Sequence, residues 1–245
     1  MKPFLILQLR PNIDGDDEYQ AFLTYGDLRA EDTVRIEMTK QSFADINLDD
    51  YSAVIAGGGG SNVSDKEEDK DEDRKRFDRE FGQLVDKVIE KDFPFFGACY
   101  GITFMSKHLG AKVAKYTSYT EDVSAIDISL TEEGKEDPLL KGLPEKFKAF
   151  VGHKDSCMNL PEQAVLLASS EQCPHHMFRI KNNIYATQFH PELDVRGMFV
   201  RVNVHKNGGY FPPEDADKVK ASVSQEVVYV PMQILKRFTD KYKRE

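Results

Sequence analysis

The chain has 245 residues, a hydrophobic fraction of 40% and a formal net charge of −9. This length and apolar content suffice for a large core, and no segment resembles a linker, so we expect one domain over residues 1–245. The acidic balance argues against nucleic acid or an anionic membrane as the main partner. The three cysteines show neither disulfide nor metal spacing, which is typical of a reducing compartment such as the cytoplasm.

Short apolar, β-rich runs alternate with helical patterns in the first half of the chain. The sequence predicts strands at Phe4–Leu9, Val34–Met38, Ala53–Ala56 and Phe93–Phe96, and a helix at Arg74–Lys91. This order of strands and helices predicts right-handed crossovers and a parallel sheet that is covered on both faces. No apolar run reaches the length of a membrane span.

The texture changes in the middle of the chain, where the strand patterns become shorter. These strands are predicted at Ala125–Leu130, Phe147–Val151, Val165–Ala168, Met177–Ile180 and Ile184–Gln188. Asn182-Asn183 between the last two is a favourable hairpin turn. We therefore expect partly antiparallel strands at one side of the sheet.

Two segments outside the predicted sheet are also informative. The tail predicts two helices, at roughly Leu193–His205 and Glu214–Tyr242, separated by glycine and proline pairs. The charged run Ser64–Arg76 is interpreted as a solvated loop that leads into the helix. A segment that docks a partner is the alternative, and the sequence leaves both open.

The segment Gly97-Ala98-Cys99-Tyr100-Gly101 carries the strongest chemical signal. It follows a predicted strand and precedes a helical run, and a tight turn between a strand and a helix holds a nucleophile at the top of an α/β sheet. The flanking glycines give the backbone freedom that such a turn needs. The dipole of the following helix predicts that Cys99 is stabilised as a thiolate.

A second motif, Gln188-Phe189-His190-Pro191-Glu192, supplies the groups that a cysteine nucleophile requires. His190 is the candidate base, and Glu192 is the candidate acid that orients it. In an extended segment the side chains of residues two apart point to the same side. Glu192 is therefore predicted to hold one imidazole nitrogen of His190 and to leave the other for the sulfur.

The glycine run 57–60 follows the predicted strand Ala53–Ala56. The backbone N–H groups of Gly58 and Gly59 are predicted to face an oxyanion, together with the N–H of Tyr100. A phosphate-binding loop is less favoured, because no Gly-Lys-Ser/Thr follows. Each of these features alone has a structural interpretation, but their joint occurrence at predicted strand ends favours a catalytic site.

The remaining histidines are weaker candidates for function. His153 follows a predicted strand and is placed to line a substrate site, whereas His205 lies among polar residues and is expected to be solvated. Cys173, His175 and His176 are spaced too tightly for a closed zinc site. We expect neither a metal nor a cofactor.

These motifs together resemble class I, triad-type glutamine amidotransferases, and most of all the glutaminase part of GMP synthase. The resemblance covers roughly Phe4 to Glu192 and includes both signature motifs, the glycine loop, Gly152-His153-Lys154-Asp155 and Leu160-Pro161. It implies a flavodoxin-like, three-layer α/β sandwich with a mostly parallel sheet and extra helices at the C-terminus. It also implies a domain with its core at about 4–192 and a helical extension at 193–245.

The resemblance implies hydrolysis of the side-chain amide of glutamine. Cys99 would form a glutamyl thioester, and His190 would protonate the departing ammonia and then activate water. The oxyanion would rest near Gly58, Gly59 and Tyr100. Thr103, His153 and Asp155 are the residues implied to line the glutamine pocket.

Two features depart from the family pattern. Thr103 stands where family glutaminases usually carry Gln, and its shorter hydroxyl cannot form the same pair of amide hydrogen bonds. A γ-glutamyl peptide or amine hydrolase with the same triad, or a silent regulatory module, therefore remain alternatives. About fifty residues follow Glu192 and contain no phosphate-binding loop, so a synthetase partner would be a separate chain.

Overall fold

A nine-stranded sheet forms the centre of the molecule in the computed structural model, which describes residues 2–244. The strands are β1 (Phe4–Gln8), β2 (Thr33–Glu37), β3 (Val54–Ala56), β4 (Phe95–Ala98), β5 (Val113–Lys115), β6 (Glu121–Leu130), β7 (Lys146–His153), β8 (Asp155–Cys157), β9 (Ala164–Ser169), β10 (Met177–Ile180) and β11 (Ile184–Thr187). The helices are α1 (Asn12–Gly26), α2 (Glu72–Lys91), α3 (Tyr100–His108), α4 (Glu132–Glu136), α5 (Val195–Val204), α6 (Ala216–Val223) and α7 (Val230–Tyr242).

The strand order is β2-β1-β3-β4-β11-β10-β9-β6-β7, and β5 pairs separately with β8. The first five strands of this order are parallel, and the pairs from β11 to β7 are antiparallel. The predicted parallel sheet with antiparallel strands at one side is confirmed. The parallel part brings the carboxyl ends of β3, β4 and β11 to one edge, where their loops meet.

Alternation along β1 shows why both faces of the sheet are covered. Phe4 and Ile6 pack in one apolar cluster with Phe22 of α1 and Phe238 of α7. Leu5 and its neighbour Leu7 pack in the opposite cluster, which contains apolar residues of α2 and α3. All of these β1 side chains are fully buried, so the sheet lies between two helical layers, as predicted.

Most predicted elements have the expected position, and the differences are local. β4 lies two residues later than predicted because Gly97 and Ala98 pair with β11 and β3 rather than with the turn. α2 begins after Asp71, whose side chain accepts a hydrogen bond from the Arg74 backbone N–H. The predicted turn at Asn182-Asn183 joins the antiparallel pair β10 and β11.

The prediction of one helix over Glu214–Tyr242 is wrong. Two helices occupy this range, and a non-helical segment separates α6 from α7. Pro231 lies in the first turn of α7, a position that suits a residue with no backbone N–H, so the chain starts a new helix there. Apolar residues of α7 complete the cluster that α1 also covers.

The charged run Ser64–Arg76 is only partly a solvated loop. Lys70 and Arg74 are both buried, and both pair with Asp78 of α2, at 2.9 Å and 3.0 Å. These ion pairs fix the end of the loop on the helix. Among residues 2–244, no helix has the length and apolar character needed to cross a membrane.

Candidate active site

Cys99 lies at the turn between β4 and α3, at the carboxyl edge of the parallel strands. Its backbone has φ 51° and ψ −88°, a conformation that is strained for a residue with a side chain. A Cβ on Gly97 would lie 3.1 Å from the Cα of Gly101, so both positions need small residues to close the turn. The sequence motif therefore forms the strained elbow that it predicts.

The thiol of Cys99 is not stabilised as a thiolate in the resting protein, contrary to the expectation from the helix dipole. Burial raises the pKa of the Cys99 thiol to about 12, although the nearby Arg10 guanidinium acts in the opposite direction. Glu192 and Asp155 raise the pKa further through their negative charges. A base must therefore take the proton before the sulfur can act as a nucleophile at neutral pH.

His190 and Glu192 form a directly bonded and buried pair. The Nδ1 atom of His190 lies 2.9 Å from Oε1 of Glu192. Burial raises the pKa of the Glu192 carboxyl, but His190 and Arg201 outweigh it, and the pKa falls to about 2. The ionised carboxylate accepts from Nδ1–H, so Nε2 is the nitrogen left to act on the thiol.

The backbone of Gly58 separates the base from the nucleophile. A Cβ at this position would lie 2.7 Å from Cε1 of His190 and 3.3 Å from Cβ of Cys99. At Gly59 a Cβ would lie 2.6 Å from Cβ of Leu9. No acceptor pairs with the N–H of Gly58 or Gly59 anywhere in the described chain, 2–244. These groups and the N–H of Tyr100, the first residue of α3, remain available to an anion.

A network of buried charges supports the Glu192 carboxylate from below. Arg201 of α5 lies 3.2 Å from Oε1 of Glu192 and 2.7 Å from Oδ1 of Asp14. Arg10 pairs with Asp14 at 2.9 Å and with Glu18 at 3.0 Å. All five residues are buried, and the two arginines hold the pKa of Asp14 far below its usual value despite its burial.

His205 belongs to this network and is not solvated as expected. Its Nε2 atom lies 2.9 Å from Oδ2 of Asp14, and its side chain is only 25% exposed. Sequence patterns miss Arg10, Asp14, Arg201 and His205 because nothing in their local spacing reveals a shared partner. The one usable signal is that α1 carries acidic residues on the face that it buries.

Two clefts open beside Cys99, and they differ in character. The first has a volume of about 450 Å³ and is lined by His190 and by apolar side chains of the tail and the antiparallel strands. The second has a volume of about 280 Å³ and is lined by polar groups. Gly59, Gly152 and Tyr210 line both clefts together with Cys99, so the sulfur lies between them.

The three predicted substrate residues, Thr103, His153 and Asp155, all line the polar cleft. Their polar atoms are nevertheless engaged within the protein. The Thr103 hydroxyl donates to the Tyr100 carbonyl at 3.1 Å, and the Asp155 carboxylate accepts from the Ser64 N–H at 2.9 Å. The structure thus places these residues in the wall of the cleft without free hydrogen-bonding groups.

Gln188 is a further polar residue at the sulfur. Its Nε2 atom lies 3.8 Å from Sγ of Cys99, and its side chain is 1% exposed. Its Oε1 atom is buried and has no partner among the described residues. A buried, unpaired amide oxygen in a polar cleft is suited to a ligand that donates a hydrogen bond.

Comparison with known proteins agrees with this geometry. The model of the class-I glutamine amidotransferase family matches residues 27–198. The chain is also 32% identical over 164 residues to the glutamine-hydrolysing subunit of GMP synthase from Thermoplasma volcanium, covering 66% of this chain and 72% of that protein. The chain therefore belongs to the class I glutamine amidotransferase family and is similar to the glutamine-hydrolysing subunit of GMP synthase.

Other relatives show how much of the longer enzymes is shared. The corresponding GMP synthase subunit from Thermoplasma acidophilum is 30% identical over 148 residues, covering 60% of this chain and 66% of that protein. The glutamine-hydrolysing GMP synthase of Bacillus cereus is 36% identical over 111 residues, which is 44% of this chain but only 20% of that enzyme. The chain therefore spans a small part of the full-length synthases.

Solved structures confirm the predicted flavodoxin-like fold. A glutamine amidotransferase from Thermotoga maritima has a TM-score of 0.79 at 18% identity, covering 99% of this chain and 98% of that one. A glutamine amido transferase from Methylobacillus flagellatus has a TM-score of 0.71 at 17% identity, covering 100% and 97%. The C-terminal helices lie within both matches, so they belong to a shared architecture.

We predict that iodoacetamide modifies Cys99 selectively in the folded protein. Cys99 is partly exposed, whereas Cys157 and Cys173 are fully buried. Because the pKa of Cys99 is raised to about 12, its reaction rate should still increase with pH above pH 9. Peptide mass spectrometry along a pH series measures this, with Cys157→Ala as the control. Equal labelling of the three thiols, or a rate that levels off below pH 7, would contradict the prediction.

We also predict that Arg201→Gln lowers the free energy of unfolding by about 3–5 kcal/mol at pH 7, because it leaves buried carboxylates without their cation. Glu192 has a depressed pKa, so its contribution is complete above the ordinary pKa of 4.5 and is lost as pH falls to about 2. The difference between variant and wild type should therefore shrink over that interval.

Urea denaturation at several pH values measures this difference. Arg196→Gln is the matched control, since Arg196 lies on the same helix, is 63% exposed and should cost less than about 1 kcal/mol. Equal losses for the two variants, or a loss for Arg201→Gln that does not depend on pH, would show that the network does not stabilise Glu192.

Proposed function

We propose that the chain hydrolyses the side-chain amide of glutamine through a triad of Cys99, His190 and Glu192. The observation that carries this proposal is the arrangement at Gly58. The strained nucleophile and the carboxylate-bound imidazole both contact this glycine and line one cleft. Membership of the amidotransferase family supports the same reaction class.

Catalysis begins with transfer of the Cys99 proton to Nε2 of His190, which its bond to Glu192 orients. The sulfur then attacks the amide carbon and forms a tetrahedral intermediate. The N–H groups of Gly58, Gly59 and Tyr100 stabilise its oxyanion. The imidazolium next protonates the amide nitrogen, the carbon–nitrogen bond breaks, and ammonia leaves a glutamyl thioester on Cys99.

Water completes the cycle. His190 accepts a proton from the water as its oxygen attacks the thioester, and the same N–H groups again stabilise the oxyanion. The carbon–sulfur bond then breaks, glutamate departs, and the proton returns from His190 to the sulfur of Cys99. Glu192 remains ionised throughout, which agrees with a pKa near 2.

The polar cleft is proposed to hold the amino-acid end of the substrate. Thr103, His153 and Asp155 form its wall, while Gln188 offers an unpaired amide oxygen. The Thr103 hydroxyl is already bonded to the backbone of α3, so it adds no contact of the kind that a glutamine side chain would give. We therefore infer that glutamine binds weakly relative to family members that carry Gln at this position.

We also propose that residues 1–245 form one domain, with a core at about 4–192 and an extension at 193–245. Support comes from the cluster that joins Phe4 and Phe96 of the sheet to Ile234 and Phe238 of the tail. Arg201 of the extension likewise contacts the triad. By analogy with the glutamine-hydrolysing subunit of GMP synthase, a separate synthetase chain would be the ammonia acceptor.

The apolar cleft favours a second candidate, a γ-glutamyl amide with a bulky apolar amine. His190 must protonate the leaving group, so that group departs on the side that His190 lines. There the cleft is lined by Val123, Leu193, Met198, Val202 and Phe211. Ammonia needs no such space, whereas an aromatic or branched amine would fill it.

One assay separates these substrates. Glutamate release is measured from glutamine and from γ-glutamyl anilide, with wild type, Cys99→Ala and the matched control Cys157→Ala. Turnover of glutamine that is lost only in Cys99→Ala is the expected result, since the other buried thiol is remote from His190. A strong preference for the anilide would favour the second candidate.

The Val202→Trp variant tests the cleft itself. Filling it should lower kcat/KM for the anilide at least about tenfold and should change kcat/KM for glutamine little. If wild type hydrolysed neither compound, or if Cys99→Ala retained activity, the proposed hydrolysis would be wrong. The retained fold would then serve a regulatory role without catalysis.

A further inference from the structure

We propose that Glu121, His153, Cys173 and His176 form a structural zinc site. Their donor atoms all lie within 4.8 Å of one another, and all four residues are buried. Donors of these types on a tetrahedral zinc ion, at about 2.0–2.3 Å from the metal, are separated by roughly 3.3–3.8 Å. Side-chain shifts of about 1 Å or less would therefore complete the coordination.

The fold brings these residues together from distant parts of the chain. Glu121 and His153 are directly opposite partners on the antiparallel strands β6 and β7, so their side chains share one face. Cys173 and His176 lie in the turn between β9 and β10. The Ser170 hydroxyl joins the two halves, because it donates to Glu121 and accepts from the Cys173 backbone N–H. Local spacing around residues 173–176 could not reveal the two ligands from β6 and β7.

The hydrogen bonds of His153 indicate that a cation belongs in the cluster. Its Nδ1 lies 2.8 Å from the Asp155 carbonyl, which only accepts, so Nδ1 carries a proton. In the neutral ring Nε2 is then a bare lone pair, yet it faces Oε2 of Glu121 at 2.9 Å. Two acceptors in contact need a proton or a metal ion between them. A histidine that donates to a backbone carbonyl through one nitrogen is also the usual form of a metal ligand.

His176 repeats this contact with the same oxygen. Its Nε2 lies 2.7 Å from Oε2 of Glu121, and its Nδ1 has no partner among residues 2–244. No hydrogen bond therefore fixes the tautomer of His176, and Nε2 is free to present a lone pair. One carboxylate oxygen is thus approached by two imidazole nitrogens next to a buried thiol.

Charge balance and ligand type favour zinc. Binding of Zn²⁺ displaces the thiol proton of Cys173 and the proton shared by His153 and Glu121. The thiolate and the carboxylate then neutralise the ion, so the filled site carries no net charge within the core. A set of two imidazoles, one thiolate and one carboxylate suits zinc better than it suits magnesium or calcium.

A zinc ion here would fix one wall of the polar cleft without entering it. His153 lines that cleft, and its neighbour Asp155 binds the Ser64 backbone N–H across it. The metal would tie β6 and β7 to the turn that precedes β10. It lies outside the triad, so the reaction at Cys99 does not use it.

Zinc chloride and cobalt chloride serve as the probes, with untagged protein that has first been treated with a chelator. Wild type should retain one zinc per chain after gel filtration, by elemental analysis, and should gain thermal stability. With cobalt it should show a thiolate-to-metal charge-transfer band. Cys173→Ser should lose that band, and His176→Gln should weaken zinc binding at least about tenfold.

Cys157→Ser and His175→Gln are matched controls, because they change a buried thiol and an imidazole outside the cluster. Both should bind zinc as wild type does, and circular dichroism checks that every variant is folded. Wild type that retains no stoichiometric zinc and shows no cobalt–thiolate band would overturn the proposal. So would a band that is lost in Cys157→Ser but kept in Cys173→Ser.

Discussion

The contact between the Glu192 carboxylate and its two cationic or donating neighbours is the constraint on which the site depends. Oε1 of Glu192 lies 2.9 Å from Nδ1 of His190 and 3.2 Å from Arg201, and all three residues are buried. A carboxylate without such partners would protonate in this environment. A neutral acid would no longer fix the imidazole with Nε2 facing the nucleophile. The charge at Glu192 therefore determines the geometry of the base.

This constraint also explains why the C-terminal helices are part of the active site. Arg201 lies on α5, and it connects Glu192 to Asp14 at the start of α1. Arg10 and His205 extend the same network towards Cys99 and the apolar cleft. A hydrophobic cluster holds α1 and α7 against the sheet, so the network is supported by packing on both sides. Opposite charges in this network compensate one another, which makes their burial tolerable.

The sequence was sufficient to predict the parallel strands, the elbow and the His190–Glu192 pair, because each is encoded within a few adjacent residues. It did not reveal α1, because that helix buries Asp14 and Glu18 and so lacks a clear apolar face. The pKa of Cys99 was also misjudged. A helix dipole is visible in a sequence, but the burial that raises this pKa depends on residues from distant segments.

Formation of a glutamyl thioester on Cys99 is the central chemical claim. It is tested most directly by quenching the protein in acid during turnover of glutamine and mapping the adduct by peptide mass spectrometry. The account predicts a glutamyl group on the peptide that contains Cys99, and no adduct on the peptides that contain Cys157 or Cys173. Turnover without any adduct on Cys99, or an adduct on another residue that forms and decays at the turnover rate, would contradict it.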